Sequence, residues 1–520
     1  MENKKELERQ ELHKTIWGIA DDLRGHIDGW DFKNYVLGML FYRYISENLA
    51  AFIEKNERES GNKDFKYSEI DDVMLNKDMK EYLINSKGFF ILPSELFCNI
   101  QRSANDDPNL NENLGIIFKK IEDSAKGMKS EDSFKGLFKT IALNDDKLGG
   151  TLKARNNNLV KLMNGINKMN LGNYQDNTID AFGDAYEYLM GMYAGNAGKS
   201  GGEYFTPQEV SELLAKLTVV GKTTVNKVYD PTVGSGSLLL KFAKILGKEN
   251  VRNGFYGQES NITTFNLCRI NMFLHDIDYD KFSIKHEDTL LNPAHLDDEP
   301  FEAIVSNPPY STKWEGDNNP LLINDIRFSP AGVLAPKSNS DYAFIMHSLN
   351  HLAANGVAAI VCYPGILKRK GTEQKIREYL VKNNFIDCII QLPVNLFFGT
   401  PISTCIMVLK KNKIENKTLF IDASNDYLKV TNNNKLTKEN IDGILDSFIK
   451  RENKDFISSL VENDKIKEMK YDLSVNNYVI KENKKEEIDI KKVNEELEKI
   501  VTNANLLRKN IKNIIEEIEG

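Results

Sequence analysis

Apolar residues in the first third of the chain recur at intervals of three and four, from about Leu12 to Asp180. This spacing places them along one face of successive helices. The clearest case is "YVLGMLFYRYISENLAAFI", which predicts a helix with these residues partly buried: Tyr35, Leu37, Leu40, Phe41, Tyr44 and Ile45. The pattern predicts an α-helical amino-terminal domain over residues 1–170.

From about Thr224 the pattern changes to short apolar runs that end in Gly, Pro or Asp, each followed by a helical pattern. The runs are "TVNKVYDP", "NGFYGQES", "FEAIVSNPP", "VAAIVCYP", "FIDCIIQLP" and "STCIMVLKK"; Asp341 to Ala354 and Gly371 to Asn383 are two of the predicted helices. Strands alternating with helices predict an α/β fold, a doubly wound and mostly parallel sheet covered on both faces, within residues 171–480. Ligands of such sheets bind beyond the carboxyl ends of the strands.

After Lys413 the chain is polar and rich in Asn and Lys, with "YDLSVNNYV" as an ordered island. Apolar residues then alternate at three and four positions over about four heptads: Ile490, Val493, Leu497, Ile500, Ala504, Leu507, Ile511, Ile514 and Ile518. Residues 481–520 are therefore predicted to form a coiled-coil helix. It can lie on its own domain, but its regularity favours a partner chain.

The composition is that of a globular protein, with 520 residues, 41% of them hydrophobic and 28% charged. No apolar run approaches the ~18 residues that span a bilayer, and the charged start "MENKKELERQELHK" is unlike a signal peptide, so we expect a cytoplasmic protein without a membrane segment. The five cysteines and seven histidines are scattered, which favours reduced thiols and no metal site. A net charge of −8 gives no sign of DNA binding. If the partner is DNA, the protein must segregate its charge or use the basic surface of another subunit.

The stretch "VYDPTVGSGSLLLKFA" places Asp230 at a strand end, Gly234 and Gly236 in a tight turn, and a helix from about Ser237. Glycines let a ligand approach the backbone, and the helix start offers free N–H groups. Glu259 ends the next strand, where an acidic residue can hold two ribose hydroxyls, and the lysine of a phosphate-binding loop is missing. The pattern favours a nucleoside cofactor without a polyphosphate.

Two further segments are candidates for the same site. Asp288 in "IKHEDTL" can accept from the amine of an adenine ring, although a solvent-facing turn is an alternative role. Upstream, "GKSGGEYFTPQEVSELLAKL" sets Tyr204 and Phe205 among glycines, before a helix that begins near Gln208. This arrangement is typical of a mobile lip over a site.

The stretch "AIVSNPPYSTK" runs a predicted strand into Asn307, Pro308, Pro309 and Tyr310. Proline fixes φ and extends the residue before it, so the segment is stiff and its carbonyls are free to meet a ligand. The amide oxygen of Asn307 and the carbonyl of Pro308 can accept both hydrogens of one –NH₂ group. Asn is no base at neutral pH, so the predicted role is polarisation and positioning, with Tyr310 stacking on a flipped base.

Together these motifs resemble the S-adenosylmethionine-dependent N6-adenine DNA methyltransferases, and most closely the modification subunit of type I restriction-modification systems. The resemblance rests on "GGEYFTP", "DPTVGSGSLL", "YGQE", "NPPY" and "LPVNLFFGTPISTCIMVLKK", and on "WDFKNYVLGMLFYRYIS" in the helical region. It covers most of the chain between Trp30 and Lys411. It implies in-line transfer of a methyl group from S-adenosyl-L-methionine to N6 of a flipped adenine.

The resemblance also implies roles for individual residues. Asn307, Pro308, Pro309 and Tyr310 would hold the target adenine, and Phe397 or Phe398 is a candidate second wall of the base pocket, with core packing as an equal alternative. The implied cofactor-binding residues are Glu203, Tyr204, Phe205, Thr206, Pro207, Gln208, Asp230, Gly234, Ser235, Gly236, Ser237, Glu259 and Asp288.

A basic run, "LKRKGTEQKIREYLVK", follows a predicted strand end and is a candidate for contact with the DNA backbone or a solvated helix face. Its candidate residues are Lys368, Arg369, Lys370, Lys375 and Arg377. No target-recognition module is evident, so the resemblance implies a separate DNA-specificity subunit bound through the terminal heptads. It further implies double-stranded DNA, a second copy of this chain and a separate restriction subunit as partners.

The motif "NPPY" by itself suits any planar –NH₂ group. Cytosine N4 and a protein glutamine amide therefore remain alternative methyl acceptors. A third hypothesis is a scaffold subunit without catalytic activity.

Overall fold

The fold is described by a computed structural model that covers residues 2–22, 29–171, 181–196, 206–397, 402–430, 433–480 and 490–519. Two units are distinguished by their internal contacts, Met1–Val479 and Ile480–Gly520. The predicted sites at Glu203, Tyr204, Phe205 and Phe398 lie outside the described residues.

The amino-terminal region is helical, as its three-and-four periodicity predicts. Its helices are α1 (Glu2–Asp22), α2 (Gly29–Glu59), α3 (Lys77–Lys87), α4 (Phe97–Ser103), α5 (Leu110–Ser124), α6 (Glu131–Phe134), α7 (Leu152–Lys168) and α8 (Ala181–Asn196). The expected helix over Tyr35 to Ile53 forms the centre of α2. It is buried on more sides than predicted, with Val36, Met39 and Tyr42 also inaccessible, because α4, α7 and α8 surround it.

The second region contains the predicted alternation of strands and helices. The strands are β1 (Val228–Asp230), β2 (Phe255–Glu259), β3 (Phe282–His286), β4 (Phe301–Ser306), β5 (Leu352–Cys362), β6 (Ile386–Gln391), β7 (Cys405–Lys410), β8 (Lys417–Asp422), β9 (Leu428–Lys429), β10 (Asn434–Lys435) and β11 (Ser458–Glu462). The helices are α9 (Gln208–Thr218), α10 (Ser237–Leu246), α11 (Ile262–Leu274), α12 (Asp341–His351), α13 (Thr372–Lys382), α14 (Lys438–Lys450) and α15 (Asn463–Glu468).

Nine of these strands form one sheet in the order β3-β2-β1-β4-β5-β7-β6-β8-β11. All neighbours are parallel except where β7 and β11 run antiparallel. The chain builds outward in one direction from β1 to β3 and then returns to the other side of β1 with β4. This reversal opens a crevice at the carboxyl ends of β1 and β4, where ligands of doubly wound sheets bind.

Alternate residues of the central strands enter two different hydrophobic cores. On β4, Ala303 and Val305 belong to one core and Ile304 to the other. On β5, Ala359 and Ile360 divide in the same way. Because side chains of a strand alternate between faces, both faces of the sheet are covered, which confirms the predicted fold class.

Two sequence-based boundaries need correction. The helix predicted over Asp341 to Ala354 ends at His351, because Leu352 pairs with Phe301 and begins β5. The pattern after Lys413 predicts a polar region with "YDLSVNNYV" as its ordered part, yet this region supplies β8, α14 and β11. Strand β8 buries Thr418 to Ile421, whereas β11 buries only Ser458 and Val461.

The carboxyl-terminal unit contains α16 (Ile490–Glu519), which confirms the predicted helix. Its apolar residues Leu497, Ile500, Leu507 and Ile511 have exposed side chains. Among the helices in the described ranges, we find none with both the length and the apolar character needed to cross a membrane.

Candidate active site

A cavity of about 430 Å³ opens at the carboxyl ends of β1, β2 and β4. It is lined by Pro231, Thr232, Gly234, Gln258, Glu259, Ser260, Asn261, Asp288, Thr289, Asn307, Pro309, Thr312 and Phe344. Five of the residues predicted from sequence therefore meet here: Gly234, Glu259, Asp288, Asn307 and Pro309. The acidic residues predicted to bind a cofactor and the segment predicted to bind an amine therefore line the same cavity.

Asp230, the last residue of β1, is fully buried and does not line the cavity itself, whereas the next two residues, Pro231 and Thr232, do. Its Oδ1 accepts from the backbone N–H of Thr232 at 2.9 Å, whereas Oδ2 has no hydrogen-bond partner among the described residues. Burial raises the pKa of Asp230 to about 8, and the nearby carboxylate of Glu259 adds to this rise. An unpartnered buried carboxyl oxygen costs free energy, so the position suits a ligand that supplies a donor or a positive charge.

Thr232 also joins this carboxyl to the neighbouring strand. Its hydroxyl lies 2.8 Å from Oγ of Ser306, the last residue of β4. Ser306 directly precedes Asn307. One short hydrogen-bonded path thus connects the end of β1 to the segment proposed to hold the amine.

The two glycines of the turn after β1 differ in what a side chain would meet at their positions. Gly236 has φ of +83°, and a Cβ there would lie 2.9 Å from Sγ of Cys268 and 3.0 Å from Cε of Met272, so packing against α11 requires glycine. Gly234 has φ of +55°, and among the described residues the carbonyl oxygen of Thr232, at 3.9 Å, is the one atom within 4 Å of a Cβ placed there. Gly234, rather than Gly236, leaves open space at the cavity.

The two serines of this turn are directed inward. Ser235 and Ser237 are buried, and their hydroxyls lie 2.9 Å apart. Neither lines the cavity. Their side chains therefore stabilise the turn in the structure described.

Glu259, the last residue of β2, organises the opposite side of the cavity. Its Oε2 accepts from the backbone N–H of Gly234 at 3.1 Å and its Oε1 from that of Asn261 at 2.7 Å. Burial raises the pKa of Glu259, against the effect of these hydrogen bonds. A carboxylate has about four acceptor positions, so capacity remains for a ligand's hydroxyl groups.

Asp288 is a turn residue at the edge of the cavity. It lines the cavity, yet it is exposed and its Oδ1 accepts from the backbone N–H groups of Leu290 and Leu291 at 2.8 and 3.0 Å. The turn is thus ordered by the same side chain that faces the cavity.

Asn307 lies between two hydroxyl groups. Its Nδ2 donates to Oγ1 of Thr206 at 3.0 Å, and its Oδ1 accepts from the hydroxyl of Tyr310 at 2.6 Å. Pro308 is buried and Pro309 is exposed at the cavity. Burial raises the pKa of Tyr310 well above its usual value, so its hydroxyl stays protonated and donates.

The turn that follows Tyr310 is held by α12. Ser311 has φ of +52°, an unusual conformation for a residue with a side chain. Its backbone N–H donates to Oδ2 of Asp341 at 3.1 Å. Asp341 therefore helps to fix the end of the Asn307–Tyr310 segment.

Of the upstream segment, the structure describes Thr206, Pro207 and Gln208. Pro207 immediately precedes α9, which begins at Gln208 as expected. Thr206 is only 6% exposed. None of the three lines the cavity, and Thr206 contacts it through Asn307.

Phe344 is a cavity residue that sequence reasoning missed. It lies on α12 and adds an aromatic wall beside the polar residues. Within "DYAFIMHSL" it is indistinguishable from the core residues Tyr342 and Ile345, so the sequence gives no signal for it. Phe397, by contrast, is buried in a hydrophobic core and does not line the cavity, which favours the packing alternative.

The basic run after β5 is divided by the structure. Lys368, Lys370 and Lys375 are exposed. Arg369 lies beside the site, with Nη2 3.5 Å from Oγ of Ser311 and its guanidinium 5.5 Å from the centre of the Tyr363 ring.

Arg377 does not fit the role predicted for it. It is 1% exposed, and its guanidinium donates to the carbonyl oxygens of Tyr471, Ile366 and Arg369. Its donors are used within the fold, so we remove it from the candidates for DNA contact.

Comparison with known proteins places this site in a family. A sequence model of the N-6 DNA Methylase family matches residues 177–487, and one of the HsdM N-terminal domain matches residues 12–166. The chain belongs to the N-6 DNA Methylase family. It shares 50% identity with the type I restriction enzyme MpnII methylase subunit of Mycoplasma pneumoniae, over 100% of this chain and 98% of that one.

Two further relatives agree. The MjaVII methylase subunit of Methanocaldococcus jannaschii is 29% identical over 98% of this chain and 84% of its own. The crystal structure of a type I methyltransferase subunit from Streptococcus thermophilus superposes with a TM-score of 0.81 at 33% identity, covering 91% of this chain and 99% of that one. The likeness thus extends over the helical region and the sheet alike.

This N-6 DNA methylase is a type I restriction-modification methylase subunit, a DNA methyltransferase that uses S-adenosylmethionine. As a subunit of this type, it functions with DNA and with other restriction-modification subunits. The family and function inferred from the sequence are confirmed. Cytosine N4, glutamine and an inactive scaffold are not favoured.

Proposed function

We propose that the cavity holds S-adenosylmethionine beside Asn307, and that residues 307–310 receive an adenine flipped out of double-stranded DNA. The observation that carries this proposal is the shared cavity. Glu259 and Asp288 line it together with Asn307 and Pro309. An acidic cofactor site and the acceptors for an amine are thus adjacent.

The residues around the cavity fit this cofactor. Asp230 has a buried carboxyl oxygen without a partner among the described residues, which suits a positively charged ligand. Glu259 suits two ribose hydroxyls, Asp288 an adenine amine, and Phe344 a flat apolar ring. When bound, S-adenosylmethionine supplies an electrophilic methyl group. The cofactor contacts predicted for Glu203, Tyr204, Phe205, Pro207 and Gln208, and for Ser235, Gly236 and Ser237, are part of the same proposal.

In the proposed mechanism, Asn307 and Pro308 act on the target amine through hydrogen bonds. The amide oxygen and the carbonyl oxygen accept one N–H each. Drawing on both hydrogens localises the nitrogen lone pair that is otherwise delocalised into the ring. Preorganised groups of this kind contribute about 10²–10³ in rate.

Tyr310 is proposed to stack on the flipped base. In the structure described its hydroxyl is bound to Asn307, the same oxygen that the base amine would reach. Entry of the base therefore exchanges one hydrogen bond for another, which limits the net cost. Phe398 stays a candidate for the second wall of the base pocket.

A separate specificity subunit is proposed to choose the DNA site. The net charge of −8 leaves much of the duplex contact to a partner, with Lys368, Arg369, Lys370 and Lys375 adding contacts near the target base. Helix α16 is proposed to bind that subunit, since its apolar side chains Leu497, Ile500 and Leu507 are exposed. We further propose a second copy of this chain, a separate restriction subunit for cleavage and action in the cytoplasm.

The chain is proposed to divide into a helical domain over residues 1–170, a methyltransferase domain over 171–480 and an assembly helix over 481–520. The sheet and the cavity both lie within the second range.

The proposal is tested by methyl transfer to DNA. The chain, purified with its specificity subunit, is incubated with isotopically labelled S-adenosylmethionine and a duplex carrying the target site. The DNA is then digested to nucleosides. We expect the label in N6-methyl-2′-deoxyadenosine; label in N4-methyl-2′-deoxycytidine or in protein would overturn the proposal.

A further inference from the structure

Thr206 contacts the proposed catalytic amide from outside the cavity. Its hydroxyl oxygen accepts from Nδ2 of Asn307 at 3.0 Å. Thr206 does not line the cavity, whereas Asn307 does. The sequence resemblance grouped Thr206 with the cofactor-binding residues, but its contact in the structure is to the residue proposed to accept the target amine.

We propose that Thr206 is a positioning residue for Asn307, and that its hydroxyl holds the amide so that Oδ1 faces the target amine. The inference rests on the proposed role of Asn307. It assigns to Thr206 an effect on the transfer step rather than on cofactor affinity.

The need for such a restraint follows from the chemistry of an amide. Its two ends are nearly equal in shape, but the oxygen accepts and the nitrogen donates. An amide rotated about its last bond would point N–H groups at the N–H groups of the target amine. Reacting groups lose rate steeply when their geometry is displaced, so a fixed amide is required.

Tyr310 cannot provide this restraint in the loaded site. Its hydroxyl is bound to Oδ1 of Asn307 in the structure described, at the atom that the target amine needs. When the amine takes that position, the bond to Thr206 is the described side-chain contact that still holds the amide.

Thr206 is itself well anchored. It is 6% exposed and lies two residues before α9. The first turn of this helix is tied back, since the hydroxyl of Ser211 donates to the carbonyl of Pro207 at 3.1 Å. The acceptor is therefore on a buried residue that lies next to a hydrogen-bonded helix start.

The test compares Thr206→Val with Thr206→Ser in the full chain assembled with its specificity subunit. Valine keeps the shape and removes the acceptor, whereas serine keeps the acceptor. Thr218→Val is the matched control, because Thr218 is buried at the other end of α9 and its hydroxyl donates to the carbonyl of Ala215 within the helix. Thr206→Ala replaces the valine variant if valine prevents folding.

We expect Thr206→Val to lower kcat at least ten-fold while the Kd for S-adenosylmethionine, measured by calorimetry, changes less than two-fold. Thr206→Ser is expected to restore kcat to within three-fold, and Thr218→Val to leave it unchanged. A ten-fold higher Kd for S-adenosylmethionine with unchanged kcat in Thr206→Val would overturn the inference, as would full activity of that variant. Full activity of Asn307→Ala would instead refute the proposed function, so the two failures are distinguishable.

Discussion

The hydroxyl of Tyr310 donates to Oδ1 of Asn307 at 2.6 Å. In the structure described, the acceptor proposed for the target amine is thus occupied by the ring proposed to stack on the base. Stacking and hydrogen bonding by Tyr310 should be separable by mutation.

Tyr310→Phe keeps the ring and removes the competing hydroxyl, so methylation should stay within about five-fold of wild type, given a hydrogen bond of about 1 kcal/mol. Tyr310→Ala removes a stacking surface of about 1–3 kcal/mol per base and should lower kcat/KM for DNA by about 5- to 150-fold. Steady-state methylation of a duplex substrate measures both. Equal activity of the two variants would show that the ring has no stacking role.

The buried carboxyl of Asp230 makes stability depend on pH. Its pKa is raised to about 8 in the folded chain, against about 3.9 in an unfolded one. Between these two values the folded state holds a proton that the unfolded state has released. The contribution of this proton to the free energy of unfolding is therefore full below pH 3.9 and is lost as the pH rises through 8.

Asp230→Asn removes this titration. The Tm of the ligand-free variant minus that of wild type should be larger at pH 8 than at pH 4.5, by at least about 2 °C. The affinity of the variant for S-adenosylmethionine should fall. Thermal melts at the two pH values measure the difference, with Asp288→Asn as an exposed control. A Tm difference that does not vary with pH would contradict the role of burial at Asp230.

The basic run gives two opposite expectations. Lys370→Ala and Lys375→Ala should each weaken DNA binding and reduce the salt slope by about one, because both side chains are exposed. Arg377→Ala should instead lower the free energy of unfolding by about 2–4 kcal/mol, since it removes hydrogen bonds to buried carbonyls. Fluorescence anisotropy over a salt series measures DNA binding by the lysine variants, and denaturant melts measure the stability of Arg377→Ala. A wild-type salt slope in both lysine variants would show that Lys370 and Lys375 do not contact DNA.

Truncation at Lys485 removes α16. Assembly with the proposed specificity subunit should be abolished, because the exposed apolar residues of this helix are lost. Binding of S-adenosylmethionine should be unchanged, since the cavity lies within Pro231 to Phe344. Co-purification of the truncated chain in stoichiometric amount would show that the helix has another use.

Local patterns in the sequence predicted the elements that bury many residues. Six strands and α2 followed from runs of apolar residues, and the strand ends placed Asp230, Glu259 and Asn307 at one edge of a sheet. Strand β11 was missed because only Ser458 and Val461 of it are buried. Strand β8 was missed although it buries Thr418 to Ile421. The start of β5 at Leu352 was also missed, because it depends on pairing with Phe301 and the helical pattern before it continues past Leu352.

Side-chain roles were harder to predict than positions. Arg377 belongs to a basic run, but Ile376 and Leu380 on the same helix are buried, and the fold turns Arg377 inward with them. Thr206 and Phe344 acquire their places from chain segments far apart in sequence. No local pattern reports such contacts.

The most direct test of the account is the effect of Asn307→Ala on two separate steps. Binding of S-adenosylmethionine is measured by calorimetry, and methylation of duplex DNA by nucleoside analysis, in the complex with the specificity subunit. We predict that the Kd for the cofactor stays within two-fold while formation of N6-methyl-2′-deoxyadenosine falls by at least about 100-fold. Methylation at the wild-type rate in this variant would contradict the account.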